Sequence, residues 1–494
     1  MYSLTKKEFK KLSKKGNLIP IFREILADME TPVSSFLKIS QASDYAFLLE
    51  SVEGQEKIAR FSFLATNPSM IFKNKGRQIQ IFKGNKLNGK KILLNKDPLD
   101  YIKDIMSQYR FVNVKGLPRF CGGMVGYIGY DTVRFFEKLP DKNPDDLNLP
   151  DILLILADNL LIFDHLNHKI KIVSLAYVDN KNSLNFAYQK AINKIEELAN
   201  ALKKPLKIRE PIPRKKAFLK NRIISNLTKQ QFYSNVVKAK KYIKQGDVIQ
   251  VVLSQRFRTK LTSDSFSVYR RLRSINPSAY MYFLKFKDLT IVGSSPELLV
   301  RCEKEVVETR PIAGTRPRGK NELEDKKFER DLINDEKEKA EHIMLVDLGR
   351  NDLGRVCREG SVLVTEFMQI EKYSHVMHLV SNVKGYLKRG KDIFDVLRAV
   401  FPAGTVTGAP KVRSMEIIEE LENVKRGAYA GCVGYFSFSG NLDTCITIRT
   451  IIIKNGTAFF QAGAGIVADS KPQKEYLETL NKAKALVCAI TEVK

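Results

Sequence analysis

Strand-like segments in this chain come in runs, and helix-like segments come in separate runs. Between about residues 40 and 180 the runs "YAFLLESVEG", "RFSFLATNP", "QIQIFKG", "DILLILADN" and "KIKIVSLAYV" follow one another, broken by turn residues. The second half predicts strands at 247–257, 280–286, 289–294, 430–439, 443–453 and 458–467, and helices at 323–347, 392–401 and 410–423. No regular strand–helix alternation is present. That disfavours a parallel βαβ sheet and points to an α+β fold with antiparallel sheets.

A helix is expected over 182–202, with Ala191, Ile195, Leu198 and Leu202 on one face. The charged, proline-bearing "KKPLKIREPIPRKKA" after it, residues 203–217, marks a boundary. Two domains are expected, 1–205 and 218–494. The second opens on a helix: Thr228 and Gln231 fit a capping box, Phe232, Val236, Ala239 and Ile243 form the apolar stripe, and Gly246 closes it.

The formal charge is +28, from 83 Lys and Arg against 55 Asp and Glu. The basic residues are spread along the chain without interleaved aromatics or a nucleic-acid module, so no nucleic-acid partner is expected. The most apolar stretch, "ILLILADNLLIFD", is too short for a bilayer and is broken by Asp158 and Asn159. The first residues lack an apolar signal core. The six cysteines, at 121, 302, 357, 432, 445 and 488, show no C-x-x-C spacing. A cytoplasmic protein with reduced thiols and no membrane association is expected.

Two glycine-rich stretches fail as nucleotide motifs. "GTVTGAPK" has its second glycine one residue early and no Ser or Thr after Lys411, and "GGMVGYIGY" is not G-x-G-x-x-G. None of the five histidines forms H-E-x-x-H; His375 and His378 are an i, i+3 pair. "ETRPIAGTRPRG" reads as a basic loop whose Gly314 and Thr315 could donate to an anion. Gln250 is a neutral polar group in an apolar strand, and Glu297 follows a proline at a turn. Glu341 shares a helix face with Leu345 and Leu348, where an uncompensated carboxylate is costly.

In "AGAGIVADSKPQKEYLETLNKAKAL" a strand with Gly463, Ala464 and Gly465 precedes a helix, with a capping box expected at Ser470–Gln473. Glu475, Glu478 and Lys482 then fall on one helix face. One reading is a solvated face with a Glu–Lys pair. The other is a site where bare backbone meets a ligand anion and the carboxylates, with Glu341, hold Mg²⁺ against it.

Taken in order, "SSPELLVR", "TRPIAGTRPRG", "EHIMLVDLGRNDLGRV", "YSHVMHLVS", "GTVTGAPKVRSMEII", "GCVGYFSFSGNLDTCITIRT" and "QAGAGIVADSKPQKEYLETLNKA" resemble the chorismate-binding enzyme family over roughly 225–490, with a weaker match in the N-terminal half. The resemblance implies two interleaved antiparallel β-sheets forming a sandwich with helices packed outside. It is closest to the members that convert chorismate and ammonia to anthranilate and pyruvate, opening tryptophan biosynthesis. Relatives that add water carry Lys where Gln250 stands; a neutral amide suits ammonia. Aminodeoxychorismate synthase, the alternative, has Lys in place of Ala313.

The resemblance further implies a role for each site residue. Glu341 and Glu478 hold Mg²⁺ with Glu475 beside them. Gly463, Ala464 and Gly465 offer N–H groups to a chorismate carboxylate, with Arg449 and Tyr429 completing the clamp. Gly314 and Thr315 contact the substrate from the other side, and Lys482 adds positive charge. Glu297 acts as general acid and His378 assists the elimination. No G-x-C-x-G glutaminase turn is present, so ammonia is expected from a separate glutamine amidotransferase subunit in a hetero-oligomer. "LLES", ending at Ser51, and "NPSAYM", with Ala279, Tyr280 and Met281, resemble the family's L-tryptophan feedback site. Ala279 stands where Pro is usual.

Overall fold

The computed structural model describes residues 1–52, 60–84, 90–93, 96–179, 183–206, 223–373 and 376–491. His375 and most of the 203–217 boundary lie outside the described residues.

Two sheets, each of 12 strands among the described residues, carry the fold; eleven follow one path in each, and off it Gly408–Ala409 pairs with Gln250–Lys260 in the first and Leu363–Lys372 with Val376–Tyr386 in the second. The first runs in spatial order Leu18–Leu26, Lys169–Tyr177, Asn159–Asp164, Phe61–Thr66, Tyr45–Glu50, Tyr280–Phe286, Leu289–Ser295, Thr450–Lys454, Thr457–Ile466, Gln250–Lys260 and Ile224–Ser225. The second runs Ile312–Pro317, Val376–Tyr386, Val306–Thr309, Leu298–Glu303, Leu442–Ile446, Cys432–Ser437, Gly123–Ile128, Ile152–Ala157, Met70–Lys75, Gln78–Lys83 and Lys90–Leu93. Each sheet passes from the N-terminal to the C-terminal half at one antiparallel seam: Met281 opposite Glu50 in the first, Cys432 opposite Ile128 in the second. The halves are thus interleaved, as expected.

Period-two alternation explains why these strands read as nearly continuous apolar runs. Phe47, Leu153, Ile155, Val433 and Tyr435 point into the space between the sheets. Their neighbours Ala46 and Leu48 face helices on the first sheet, while Ile152, Leu154, Cys432 and Phe436 face helices on the second. Helices Leu184–Lys203 and Pro472–Thr491 cover the first sheet with Ala191, Ile195, Leu486 and Ile490. Helices Glu336–Gly354 and Ile393–Val400 cover the second with Val346, Leu353 and Leu397. The result is an α+β sandwich with helices outside both sheets.

Several expected elements divide. The 443–453 strand is two strands, Leu442–Ile446 and Thr450–Lys454, in different sheets. The 323–347 helix is also two, because Asp335 leaves helical geometry (φ −75°, ψ 104°) and caps the second by accepting from the N–H groups of Lys337 and Glu338. The 308–319 segment is not a loop. Most of it forms strands Val306–Thr309 and Ile312–Pro317 on the long strand Val376–Tyr386, with a register shift at Gly314, whose φ is +65°. The run 152–164 is two strands in different sheets. Among the described residues no helix is long and apolar enough to cross a membrane, and all six cysteines are free.

Candidate active site

Two places where the chain steps between the sheets lie side by side. Ser295 to Leu298 is one, and Ile446 to Thr450 is the other. They bond to each other: Ser294 N donates to Arg449 O at 3.1 Å, and Ile446 N donates to Glu297 O at 3.1 Å. Glu297 and Arg449 are thereby fixed as neighbours at one end of the sandwich.

Glu297 is buried, and burial pushes its carboxyl up to about 8 against the opposing pull of Thr405 and Lys482. It is a carboxylic acid at neutral pH, a proton donor held ready. Arg449 has the left-handed backbone (φ +51°) of a forced corner. Its Nη1 donates to Lys482 O at 2.6 Å. Burial lowers its pKa, while Tyr429 and Glu478 partly restore it. No carboxylate pairs with Arg449 among the described residues. A half-buried guanidinium without a carboxylate is suited to an incoming one.

The glycine strand Thr457–Ile466 passes alongside. Its neighbour Thr450–Lys454 pairs only as far as Phe460, so one edge is open beyond that point. On the other edge Gly463 lies opposite Ser254 and Gly465 opposite Val252. Ser254 N donates to Glu422 instead of to Gly463, which identifies a non-hydrogen-bonded pair. The polar groups of Gly463 and Gly465 therefore face the open edge, where Lys482 Nζ donates to Gly463 O at 3.1 Å. Ala464 is the correction: its N–H points into the ladder and not toward a ligand. A Cβ on Gly463 would stand 2.8 Å from the Tyr429 hydroxyl, and one on Gly465 would stand 2.5 Å from Gln250 Nε2. The glycines leave room for both side chains.

Gln250 is buried on strand Gln250–Lys260, and its Nε2 donates to Glu341 Oε1 at 3.0 Å. Glu341 stands near Glu338, whose pKa is raised by burial first and then by Glu341 and Asp335. Lys337 lies within reach of both Glu341 and Glu475, bringing the helix Glu336–Gly354 to the C-terminal helix. Glu475 is buried, and burial and then Glu478 raise its pKa against Ser470. Ser470 does not form the expected box with Gln473; it accepts from Val467 N and bonds Glu475. Lys482 pairs with Glu478 at 2.6 Å, so its charge is partly committed inside the protein.

His378 closes the far side. Its Nδ1 lies 2.9 Å from Gly314 O and 3.1 Å from Thr315 Oγ1. A carbonyl can only accept, so Nδ1 carries the proton and Nε2 the lone pair. Burial lowers its pKa, and Arg449 is close enough to lower it further. The structure thus joins Glu297, Gln250, His378, Gly314, Thr315, Tyr429, Arg449, Gly463, Gly465, Lys482, Glu341, Glu475 and Glu478 through a chain of contacts and charge couplings. Sequence reasoning missed Glu338, although it lies one turn before Glu341. It also missed Thr405, which has no local signal.

Glu338 lies near Glu341, and Glu475 near Glu478; burial first, and then the neighbouring carboxylate, raises the pKa of Glu338 and of Glu475. That donor set fits a hard divalent cation such as Mg²⁺, which takes few carboxylates and completes its shell with water and ligand oxygens. Among the described residues no three acidic, His or Cys side chains already converge as metal ligands.

A family model described as chorismate binding enzyme matches residues 44–487. The chain belongs to the chorismate-binding enzyme family. It is 51% identical over 488 residues to an anthranilate synthase component 1 of Aquifex aeolicus, covering 99% of this chain and 98% of that one. It is 48% identical over 498 residues to an anthranilate synthase component 1 of Acetivibrio thermocellus, covering 100% and 99%. Among solved structures, anthranilate synthase component I from Streptococcus pneumoniae matches with a TM-score of 0.76 at 38% identity, over 94% of this chain and 98% of that one. The menaquinone-specific isochorismate synthase of Escherichia coli shares the fold, with a TM-score of 0.69 at 20% identity over 98% of each chain. This chorismate-binding family member is an enzyme.

A second cavity, about 60 Å³, lies between the sheets. Ser51, Ala279, Tyr280 and Met281 all line it, with Arg119 and Arg301. Tyr280 Oη donates to Asp443 Oδ1 at 3.0 Å and accepts from Arg301 Nη2 at 3.0 Å.

Proposed function

We propose that this chain is the large subunit of an anthranilate synthase. It converts chorismate and ammonia to anthranilate and pyruvate, the entry to tryptophan biosynthesis. One observation carries the reading: a neutral amide, Gln250, bonds Glu341 at the position where relatives that add water carry a lysine base, while burial keeps Glu297 protonated.

Arg449 and the open N–H groups of Gly463 and Gly465 bind the enolpyruvyl carboxylate, with Tyr429 fixing its orientation. Glu341 and Glu478, with Glu475 beside them, would hold Mg²⁺, which would supply charge neutralisation at the ring carboxylate. Ammonia adds at C2 as Glu297 gives its proton to the C4 hydroxyl, which leaves as water. His378 Nε2 then takes the C2 proton as the enolpyruvyl group leaves, and aromatisation drives the step. Ala313 leaves no lysine nucleophile at the position that marks aminodeoxychorismate synthase.

Ammonia reaches the site from a glutamine amidotransferase subunit, in keeping with relatives named as component 1. The second cavity takes L-tryptophan as feedback inhibitor. Purified chain incubated with chorismate, Mg²⁺ and ammonium should produce anthranilate fluorescence, and glutamine should not replace ammonium. An aminated, non-aromatic product, or no product, would overturn the reading.

A further inference from the structure

Among the described residues Arg426 is the largest fully buried side chain. Its guanidinium holds both oxygens of Glu422, Nε to Oε2 at 2.9 Å and Nη2 to Oε1 at 2.6 Å. It also donates to two carbonyls, Nη1 to Val406 O at 2.7 Å and Nη2 to Val252 O at 2.8 Å. Its planar head lies 5.0 Å from the ring centre of Tyr130 and 5.5 Å from that of Tyr429. Glu422 in turn accepts from Ser254 N at 2.9 Å and Ser254 Oγ at 2.7 Å.

Three of these contacts lead to different segments that carry candidate site residues and so form the walls of the cleft. Val406 follows Thr405, which stands beside Glu297. Val252 and Ser254 belong to the strand of Gln250 and lie opposite Gly465 and Gly463. Tyr429 reaches over Gly463. Three walls that arrive from distant parts of the sequence are therefore gauged against one guanidinium. Stability alone does not call for such a pair, since apolar side chains of equal volume commonly serve a core as well.

We propose that Arg426, oriented by Glu422, is a positioning residue that sets the spacing of the carboxylate clamp and so governs chorismate affinity. It touches no substrate and acts through Tyr429 and the Gln250 strand. A lysine keeps the charge but cannot span four acceptors in one plane. The inference rests on the cleft being the chorismate site.

The test compares wild type with Arg426→Lys and Glu422→Gln, using ammonium-dependent turnover and calorimetric titration with chorismate, normalised to folded protein by circular dichroism. Both variants should raise the chorismate KM and Kd about tenfold or more while kcat changes less than about threefold. Tyr429→Phe added to Arg426→Lys should cost less than the product of the two single effects, because both remove the same placement. A fall in Tm with unchanged KM and Kd in the folded fraction would overturn the proposal. If Arg426→Lys yields no folded protein, Glu422→Gln decides by the same readings. A wild type that neither binds nor turns over chorismate would instead sink the functional reading.

Discussion

Gln250 and Glu341, 91 residues apart in sequence, meet across the cleft with Nε2 donating to Oε1 at 3.0 Å. The bond neutralises no charge on Glu341, so the carboxylate stays available to a cation. A lysine at position 250 would place an ammonium in the same spot and compete with the metal. Gln250→Lys is expected to raise the Mg²⁺ concentration for half-maximal activity and to lower amination about 100-fold, an effect of roughly 3 kcal/mol on the barrier. Anthranilate fluorescence across a Mg²⁺ titration measures both, and an unchanged Mg²⁺ requirement would refute the competition.

Glu297 makes the chemistry pH-dependent in a defined direction. The proposed general-acid role needs its acid form, and burial holds its pKa at about 8. At constant free ammonia, kcat should fall as pH rises past about 8. The folded chain keeps a proton that an ordinary carboxyl has released, so stability should also decline as pH rises from the ordinary carboxylate range through about 8. Glu297→Gln should flatten that stability slope, keep KM within about threefold, and lower kcat by about 10²–10⁴. Near-normal turnover in this variant would remove the general-acid role.

Arg449 sets function against stability. Its guanidinium is half-buried with no carboxylate partner among the described residues, and a desolvated, uncompensated charge costs free energy. Arg449→Met should leave Tm unchanged or higher while raising the chorismate KM by about 100-fold, roughly 2.7 kcal/mol of binding. Thermal unfolding and steady-state kinetics on one preparation test both halves. A large drop in Tm would show that the charge is satisfied internally.

Local signals in the sequence succeeded where the physics is local. The capping box of Thr228 and Gln231 forms as expected and starts a helix whose stripe is buried. Most of the apolar runs became strands with two buried faces, as Ile152–Ala157 and Asn159–Asp164 did. The crossings that hold Glu297 and Arg449 were not legible, since a step between sheets has no period of two or 3.6 residues. The 443–453 run therefore read as one strand. Asp335 was overlooked as a cap because the charged residues around it continue a helical pattern on both sides. Glu341, Glu475 and Glu478 were each visible as unusual carboxylates, but Lys337, the shared neighbour of Glu341 and Glu475, emerged only when two helices met in space.

Tyr280 ties the second cavity to the strand that begins at Leu298, directly after Glu297. Its hydroxyl donates to Asp443 and accepts from Arg301, and Arg301 Nε also donates to Asp443 at 3.0 Å. Asp443 and Arg301 face each other on adjacent strands of the second sheet. Removing the hydroxyl leaves a buried acceptor and donor short of a partner, at a cost of about 1–3 kcal/mol. Tyr280→Phe should lower the free energy of unfolding by that amount and leave uninhibited kcat within about twofold, because the hydroxyl lies outside the cleft. With tryptophan as the cavity's ligand, the same change should raise the half-inhibitory concentration about tenfold, since the cavity wall loses one of the two groups that orient Arg301. Inhibition curves and chemical denaturation of the variant measure these quantities. Undiminished inhibition alongside the stability loss would separate the ion cluster from the effector site.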